Sequence, residues 1–280
     1  MAPGALGIIA GGGGLPVELA RACTAAGRAV FIIRLKGMAD PALAAWPGED
    51  VEIARLGRAI ELLKSAGCTG VSFAGKVFRP DFASLKPDLA GLKALPRVMA
   101  AARKGDDALL RALLRIFEEA GFHIEGADEA AGGLVLSQGP LGLHAPGDLH
   151  HADIDLAARA ARRLGEFDIG QAVAVCRGVI LAVEAQEGTA AMLERCAALP
   201  AELRGSSAER RGVLVKLPKG IQDRRVDLPT IGPATISLAA EAGLAGVVGE
   251  AGGMLVVERD RVRSEADRLG LFVHGLPSGA

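Results

Sequence analysis

The stretch Leu6-Gly7-Ile8-Ile9-Ala10-Gly11-Gly12-Gly13-Gly14-Leu15-Pro16 decides how the rest of the chain is read. A short apolar run that stops at four glycines describes a buried strand ended by a tight turn. Pro16 then stands where a helix begins, since the first-turn N–H groups have no intrahelical partner to lose. Val17 to Ala26 continues as that helix until Gly27 stops it. A strand passing through glycines into a helix is the opening of a βα unit.

The same grammar continues outward. Ala29 to Leu35 reads as the next strand, Val51 to Arg55 as another, and Ala59 to Ala66 as a helix closed by Gly67. Val71-Ser72-Phe73-Ala74 is a further strand ending at Gly75-Lys76. Asp106 to Ala120 is the most regular helix, with Leu109, Leu110, Leu113, Leu114 and Phe117 on one face and Arg111, Arg115, Glu118 and Glu119 opposite. Phe122-His123-Ile124 closes the series as a strand. Strands alternating with helices at this spacing predict an α/β fold, with a Rossmann-like parallel sheet over residues 1–131. The pattern dissolves over 132–150 among glycines and prolines, which predicts a linker. Residues 151–280 predict a second, mixed α/β domain: a helix at Ile154–Leu164, an antiparallel hairpin (Ala172–Val175 and Val179–Glu184) turning at Arg177-Gly178, then further helices and short strands.

Composition narrows the function classes. The chain has 280 residues, about two domain lengths, and half of them are apolar, ample for a core. Aromatics make up only 3%, with no Tyr, while Gly reaches 38, so the core is built from small aliphatics. With 32 Lys plus Arg against 33 Asp plus Glu, the net charge of −1 lacks the basic excess of a nucleic-acid-binding surface. Cys23, Cys68, Cys176 and Cys196 are scattered, with no CxxC pair and no histidines at metal-binding spacing, which suits buried thiols in a reducing compartment. A mean hydropathy of +0.30 raises the question of a membrane span. The uncharged runs Met1–Val17 and Ala130–Gly147 are broken by glycines and prolines, and no basic residue precedes the first. A cytoplasmic protein is expected.

Five places offer chemistry. Gly11, Gly12, Gly13 and Gly14 lie between a strand and a helix, where backbone N–H groups can face an anion. Pro16 stands where the dinucleotide fingerprint wants its third glycine, and the second strand ends in Arg34 and Lys36 rather than a ribose-binding acid, so no nicotinamide cofactor is expected. Gly75 and Lys76, at a strand's carboxyl end, pair backbone approach with a point charge. In Arg103-Lys104-Gly105-Asp106-Asp107, Asp106 is expected to cap the long helix, Asp107 suits its positive end, and the two bases Arg103 and Lys104 beside the helix start suit a phosphate, with Lys104 the expected contact. Glu184 to Thr189 crowds carboxylates, an amide and a hydroxyl into a turn, with Glu187, Gly188 and Thr189 at the helix start and Gln171 at the head of the same hairpin. Lys216 to Gly232 is a long polar stretch in which Asp227 lies between apolar residues near a proline, a carboxylate suited to a divalent cation or to activating water. Each place also has a structural reading: a tight turn, a strand stop, a helix cap or a solvated loop.

Taken together, these motifs resemble the LpxI family, UDP-2,3-diacylglucosamine hydrolases of lipid A biosynthesis. The likeness runs through Ile-Ala-Gly-Gly and Gly-Leu-Pro near the N-terminus, Phe-Ala-Gly-Lys-Val (Phe73–Val77) and Ala-Arg-Lys-Gly-Asp-Asp-Ala-Leu-Leu (Ala102–Leu110). It continues through Ala-Val-Glu-Ala-Gln-Glu-Gly-Thr (Ala182–Thr189) and Arg-Val-Asp-Leu-Pro-Thr-Ile-Gly (Arg225–Gly232), essentially the whole chain in order. The resemblance implies hydrolysis of the substrate's pyrophosphate to 2,3-diacylglucosamine 1-phosphate (lipid X) and UMP with a divalent metal, normally Mg²⁺, and substrate held between two domains. Carried onto this sequence, the critical acid is Asp227, as metal ligand or general base. It further implies substrate contacts from Gly11–Gly14, Lys104 and Glu187-Gly188-Thr189, a homodimer, and an apolar cleft for acyl chains with transient contact at the inner membrane surface. An NADP-linked oxidoreductase and a non-catalytic nucleotide- or lipid-binding module are the competing readings.

Overall fold

Leu6, Ile8 and Ala10 lose all contact with solvent, and Ile9 nearly all, which only a central strand covered on both faces allows. The computed structural model describes residues 4–77, 81, 85–220 and 223–279, so Ile221 and Gln222 of the long polar stretch, and Met1 to Pro3 of the first uncharged run, lie outside the described residues. It divides into two compact units, Met1–Gly133 and Leu134–Ala280.

The first unit begins with β1 (Ala5–Ala10), α1 (Leu15–Ala25), β2 (Val30–Leu35), β3 (Gly48–Val51), α2 (Leu56–Ser65) and β4 (Cys68–Ala74). It continues with α3 (Leu89–Ala102), α4 (Asp106–Glu119), β5 (His123–Ile124) and α5 (Ala127–Ala130). All five strands are parallel, in the order β3-β2-β1-β4-β5. This is the expected Rossmann-like winding, and it reverses direction between β1 and β4.

Three details depart from the sequence reading. The third strand ends at Val51 instead of starting there: Gly48 to Val51 pair with Ile32 to Leu35, and a Cβ on Gly48 would stand 2.1 Å from the Ile32 carbonyl oxygen. Residues 89–102, to which the sequence assigns no element, form α3 despite Pro96 inside it; Asp88 caps its start by accepting from the Gly91 N–H at 2.8 Å. The cap of α4 is Gly105, at φ 120°, and Asp106 and Asp107 both stand in the first helical turn. Their charge still favours the helix's positive end.

The second unit holds β6 (Gly139–Pro140), α6 (Asp148–Glu166), β7 (Ala172–Cys176), β8 (Val179–Val183), α7 (Gly188–Ala197) and α8 (Ala201–Arg204). After these come β9 (Val213–Lys216), β10 (Thr230–Ile231), α9 (Pro233–Glu241), β11 (Gly246–Glu250), β12 (Leu255–Val256), α10 (Arg259–Leu269) and β13 (Phe272–Leu276). Its main sheet runs β6-β13-β11-β9-β7-β8, with β9, β11 and β13 parallel and β6 and β7 antiparallel to their neighbours. The hairpin falls where expected, turning on Arg177 and Gly178, both at positive φ. Helices α7, α9 and α10 bury Met192, Ile236 and Val262 against Leu214 and Val247 on one sheet face. Helix α6 buries Ile154, Ala157 and Ala161 against Val173, Val215 and Val248 on the other.

The stretch expected as a linker does not behave as one. Leu134 and Leu136 are buried, the latter in the second unit's core, and Gly139-Pro140 pair with β13. A two-residue strand made of glycine and proline leaves no periodicity to read. All four cysteines are buried and free, and burial pushes the Cys68 and Cys196 thiols up to about 11.

Candidate functional site

In the first unit, the reversal of strand order puts the turns after β1 and β4 side by side, where open α/β sheets take their ligands. The two turns are bonded to each other. Gly11 N–H donates to the Ala74 carbonyl at 2.9 Å, Gly12 N–H to that of Lys76 at 2.8 Å, and Lys76 N–H back to Gly12 at 2.8 Å. A Cβ on Gly11 would lie 2.6 Å from the Lys76 carbonyl oxygen, and one on Gly75 (φ 90°) 2.6 Å from that of Gly12. Gly11 and Gly12 spend their amides on the neighbouring turn, so their lack of side chains serves close backbone approach. An anion is left the exposed Gly13 and Gly14 and the first turn of α1.

Lys104 and Asp107 sit at the α3–α4 turn. Because α4 runs back to feed the parallel strand β5, its N-terminus also lies at the carboxyl edge of this sheet. Lys104 is exposed, while Asp107 pairs along its own helix with Arg111 at 3.0 Å.

The second unit gathers charge at the carboxyl edge of its sheet. Lys216 closes β9 with only 4% of its surface exposed; Glu184 just after β8 and Glu250 at the end of β11 are 7% and 8% exposed. Lys216 Nζ donates to Thr189 Oγ1 and to the Thr230 carbonyl, both at 2.9 Å. The Thr189 hydroxyl donates to Glu184 Oε1 at 2.5 Å, and Glu184 Oε2 accepts the Gln171 N–H at 3.1 Å. Burial pushes the Lys216 ammonium below the usual lysine range, against the opposing pull of the Glu184 and Asp227 carboxylates. Asp227 is half-buried and faces this cluster electrostatically, its N–H donating to the Asp223 carbonyl at 3.3 Å. Arg224 pairs with Glu250 at 2.9 Å and Arg225 with Asp223 at 2.7 Å, so the polar stretch carries its own ion pairs. The side-chain oxygen of Gln171 is buried without a donor among the described residues, an acceptor that a ligand hydroxyl or N–H would satisfy.

Of the predicted residues in this half, Gln171, Thr189 and Asp227 come to the cluster and Gly188 turns the chain beside it at φ 79°. Glu187 does not join them. Its own backbone N–H and the Arg195 guanidinium hold its carboxylate below the usual range, on the outer side of α7. There it lines a shallow groove of about 800 Å³ together with Val183, Ala185, Ala191, Glu194 and Ala198. The acid of that motif in the cluster is Glu184. Lys216, which the sequence offers only as the first residue of the polar stretch, ends the otherwise apolar run Val213-Leu214-Val215.

Family models for the LpxI N-terminal and C-terminal domains match residues 5–134 and 137–274. The chain belongs to the LpxI family. A relative in that family, UDP-2,3-diacylglucosamine pyrophosphatase LpxI of Caulobacter vibrioides, is 58% identical over 271 residues, 97% of each chain. CobK precorrin-6A reductase covers 99% of this chain with 89% of its own, at 13% identity and a TM-score of 0.33. The LpxI models thus span all the turns described above, in both units. Among the described residues no helix is long and apolar enough to cross a membrane.

Proposed function

We propose that this LpxI-family chain hydrolyses the pyrophosphate of UDP-2,3-diacylglucosamine, giving 2,3-diacylglucosamine 1-phosphate (lipid X) and UMP. The observation that carries the reading is the 58% identity, spread over 97% of both chains, to a protein named for acting on that compound. Each phosphorus in a pyrophosphate is screened by anionic oxygens, so the site must supply positive charge and hold a water in line. Asp227 is the acid assigned here: its carboxylate orients that water or takes its proton. Gly13, Gly14 and Lys104 are assigned to the anionic part of the substrate, together with Lys76. Gln171 Oε1, with Thr189 and Gly188 beside it, is assigned to a sugar hydroxyl.

Mg²⁺ fits these residues in one way. Among the described residues no three His, Cys, Asp or Glu side chains come together as a metal cage. Mg²⁺ commonly needs only one or two protein carboxylates, filling its other positions with water and substrate phosphate. Asp227 would hold it, and the ion would neutralise charge developing on the phosphoryl oxygens. The test is UMP release from UDP-2,3-diacylglucosamine with Mg²⁺ and with EDTA. Release in Mg²⁺ that EDTA abolishes is expected; release equal in both would remove the metal, and none in either would remove the activity.

The same reading has the protein cytoplasmic, a homodimer, and in transient contact with the inner membrane surface. What supports the membrane contact is α3, which exposes Leu89, Leu92 and Met99 along one side beside the exposed Lys93 and Arg97. Liposomes carrying the substrate are expected to co-sediment the protein, and Leu89→Asp/Leu92→Asp to weaken that recovery several-fold. Recovery unchanged in the double variant would clear α3 of the role.

A further inference from the structure

A lysine with 4% of its surface exposed is costly to keep unless each of its N–H groups has somewhere to go. Among the described residues two of the three Lys216 N–H groups have acceptors. The acceptors come from two separate eight-residue motifs, Ala182–Thr189 and Arg225–Gly232: Thr189, 27 residues before the lysine, and the Thr230 carbonyl, 14 residues after it. We propose that Lys216 is a positioning residue that ties the Asp227 stretch to the Glu184–Thr189 turn, presenting the Asp227 carboxylate in one orientation at the carboxyl edge of the sheet. The proposal rests on Asp227 acting in the hydrolysis described above.

Both ends of the tie are anchored. On one side the Thr189 hydroxyl has a single proton to give, and it goes to Glu184, which is itself buried and fixed by the Gln171 N–H. That leaves the hydroxyl oxygen facing Lys216 as an acceptor. On the other side the chain returning from Asp227 is pinned three residues later. The Pro229 carbonyl accepts from Leu255 N–H at 2.8 Å, β10 pairs with β12, and the Thr230 carbonyl takes the lysine's second N–H. Leu228, between Asp227 and these anchors, is buried. The register seats Lys216 opposite Ala172 and Gly249, two residues too small to block its path. Among the described residues, the charged groups acting on the ammonium are the carboxylates of Glu184 and Asp227.

Lys216→Met keeps the alkyl length and removes every N–H. It is expected to lower kcat about 100-fold, the cost of a misplacement of about an ångström, while KM moves by less than about threefold. Hydrogen exchange of the substrate-free protein reads the same tie without the reaction: amides of 223–228 are expected to exchange at least about 10-fold faster, with β7 and β9 as protected as in the parent. Thr189→Val, which removes the bridging hydroxyl and leaves the lysine, is expected to share the exchange effect, and Thr189→Ser to restore it. Exchange that is unchanged in both variants, or faster throughout the second unit, would make Lys216 an ordinary structural residue and overturn the proposal. So would a parental kcat in Lys216→Met. If the parent releases no UMP, the hydrolase reading fails instead, and the exchange pattern still decides whether the tie exists.

Discussion

Asp227→Asn is expected to reduce UMP release by about 10³-fold while leaving substrate affinity within a few-fold of the parent. Asparagine matches aspartate in shape and keeps an oxygen acceptor, so the backbone around it, including the bond from its N–H to the Asp223 carbonyl, has no reason to move. What is lost is the negative charge. A neutral amide does not take a proton from water and holds a magnesium ion far more weakly than a carboxylate, and both roles act on the transition state more than on bound substrate. The signature is therefore a fall in kcat with little change in binding, measured as UMP release at saturating substrate and as equilibrium binding of the unreacted compound. Circular dichroism of the variant should match the parent. Turnover at the parental rate would remove Asp227 from the chemistry, whatever its place in the motif.

The second large effect is on stability and belongs to the first unit. Arg28→Met is expected to destabilise the first unit by about 3–5 kcal/mol, the usual result of leaving one partner of a buried ion pair behind. Arg28 and Glu125 meet through two parallel bonds, 2.6 and 2.8 Å long, with side chains only 9% and 11% exposed, and the arginine also donates to the Gly4 carbonyl at 3.0 Å. One pair thus joins the chain before β1, the entry to β2 and the exit from β5. The site is shaped around the carboxylate: a Cβ at Gly70 would stand 1.8 Å from Glu125 Oε1. The bonds to Glu125 also raise the Arg28 pKa. Thermal or urea unfolding followed by circular dichroism checks this. Arg28→Met/Glu125→Leu is expected to regain most of the loss, because no charge is then stranded. A single variant within about 0.5 kcal/mol of the parent, as for an exposed pair, would contradict the burial argument.

Most of the element pattern was legible because apolar runs here are short and glycine-bounded. Ile8-Ile9 before Gly11 and the hairpin around Arg177-Gly178 announce themselves through local chemistry. Helix α3 was hidden because Pro96 reads as a breaker, yet a proline mid-helix is tolerated when the surrounding packing holds. The site was legible as segments and less so as side chains. Glu184 and Glu187 are three residues apart and equally polar; only the pairing of Arg195 with Glu187, and the closing of Gln171 and Thr189 on Glu184, separates their roles. Lys216 looks like the first residue of a loop, since its partners lie 27 and 14 residues away. The run Gly11–Gly14 was ambiguous for a different reason: close approach to a ligand and close approach to another turn both call for a missing Cβ.

That last ambiguity has a mechanical side. The reciprocal bonds between Gly12 and Lys76 form a latch across the crevice, and opening half of it would strand a donor against an acceptor. The two lips of the crevice therefore travel as one piece. A label placed on Val77, 46% exposed at the far lip, should report on whatever settles at Gly13 on the near one.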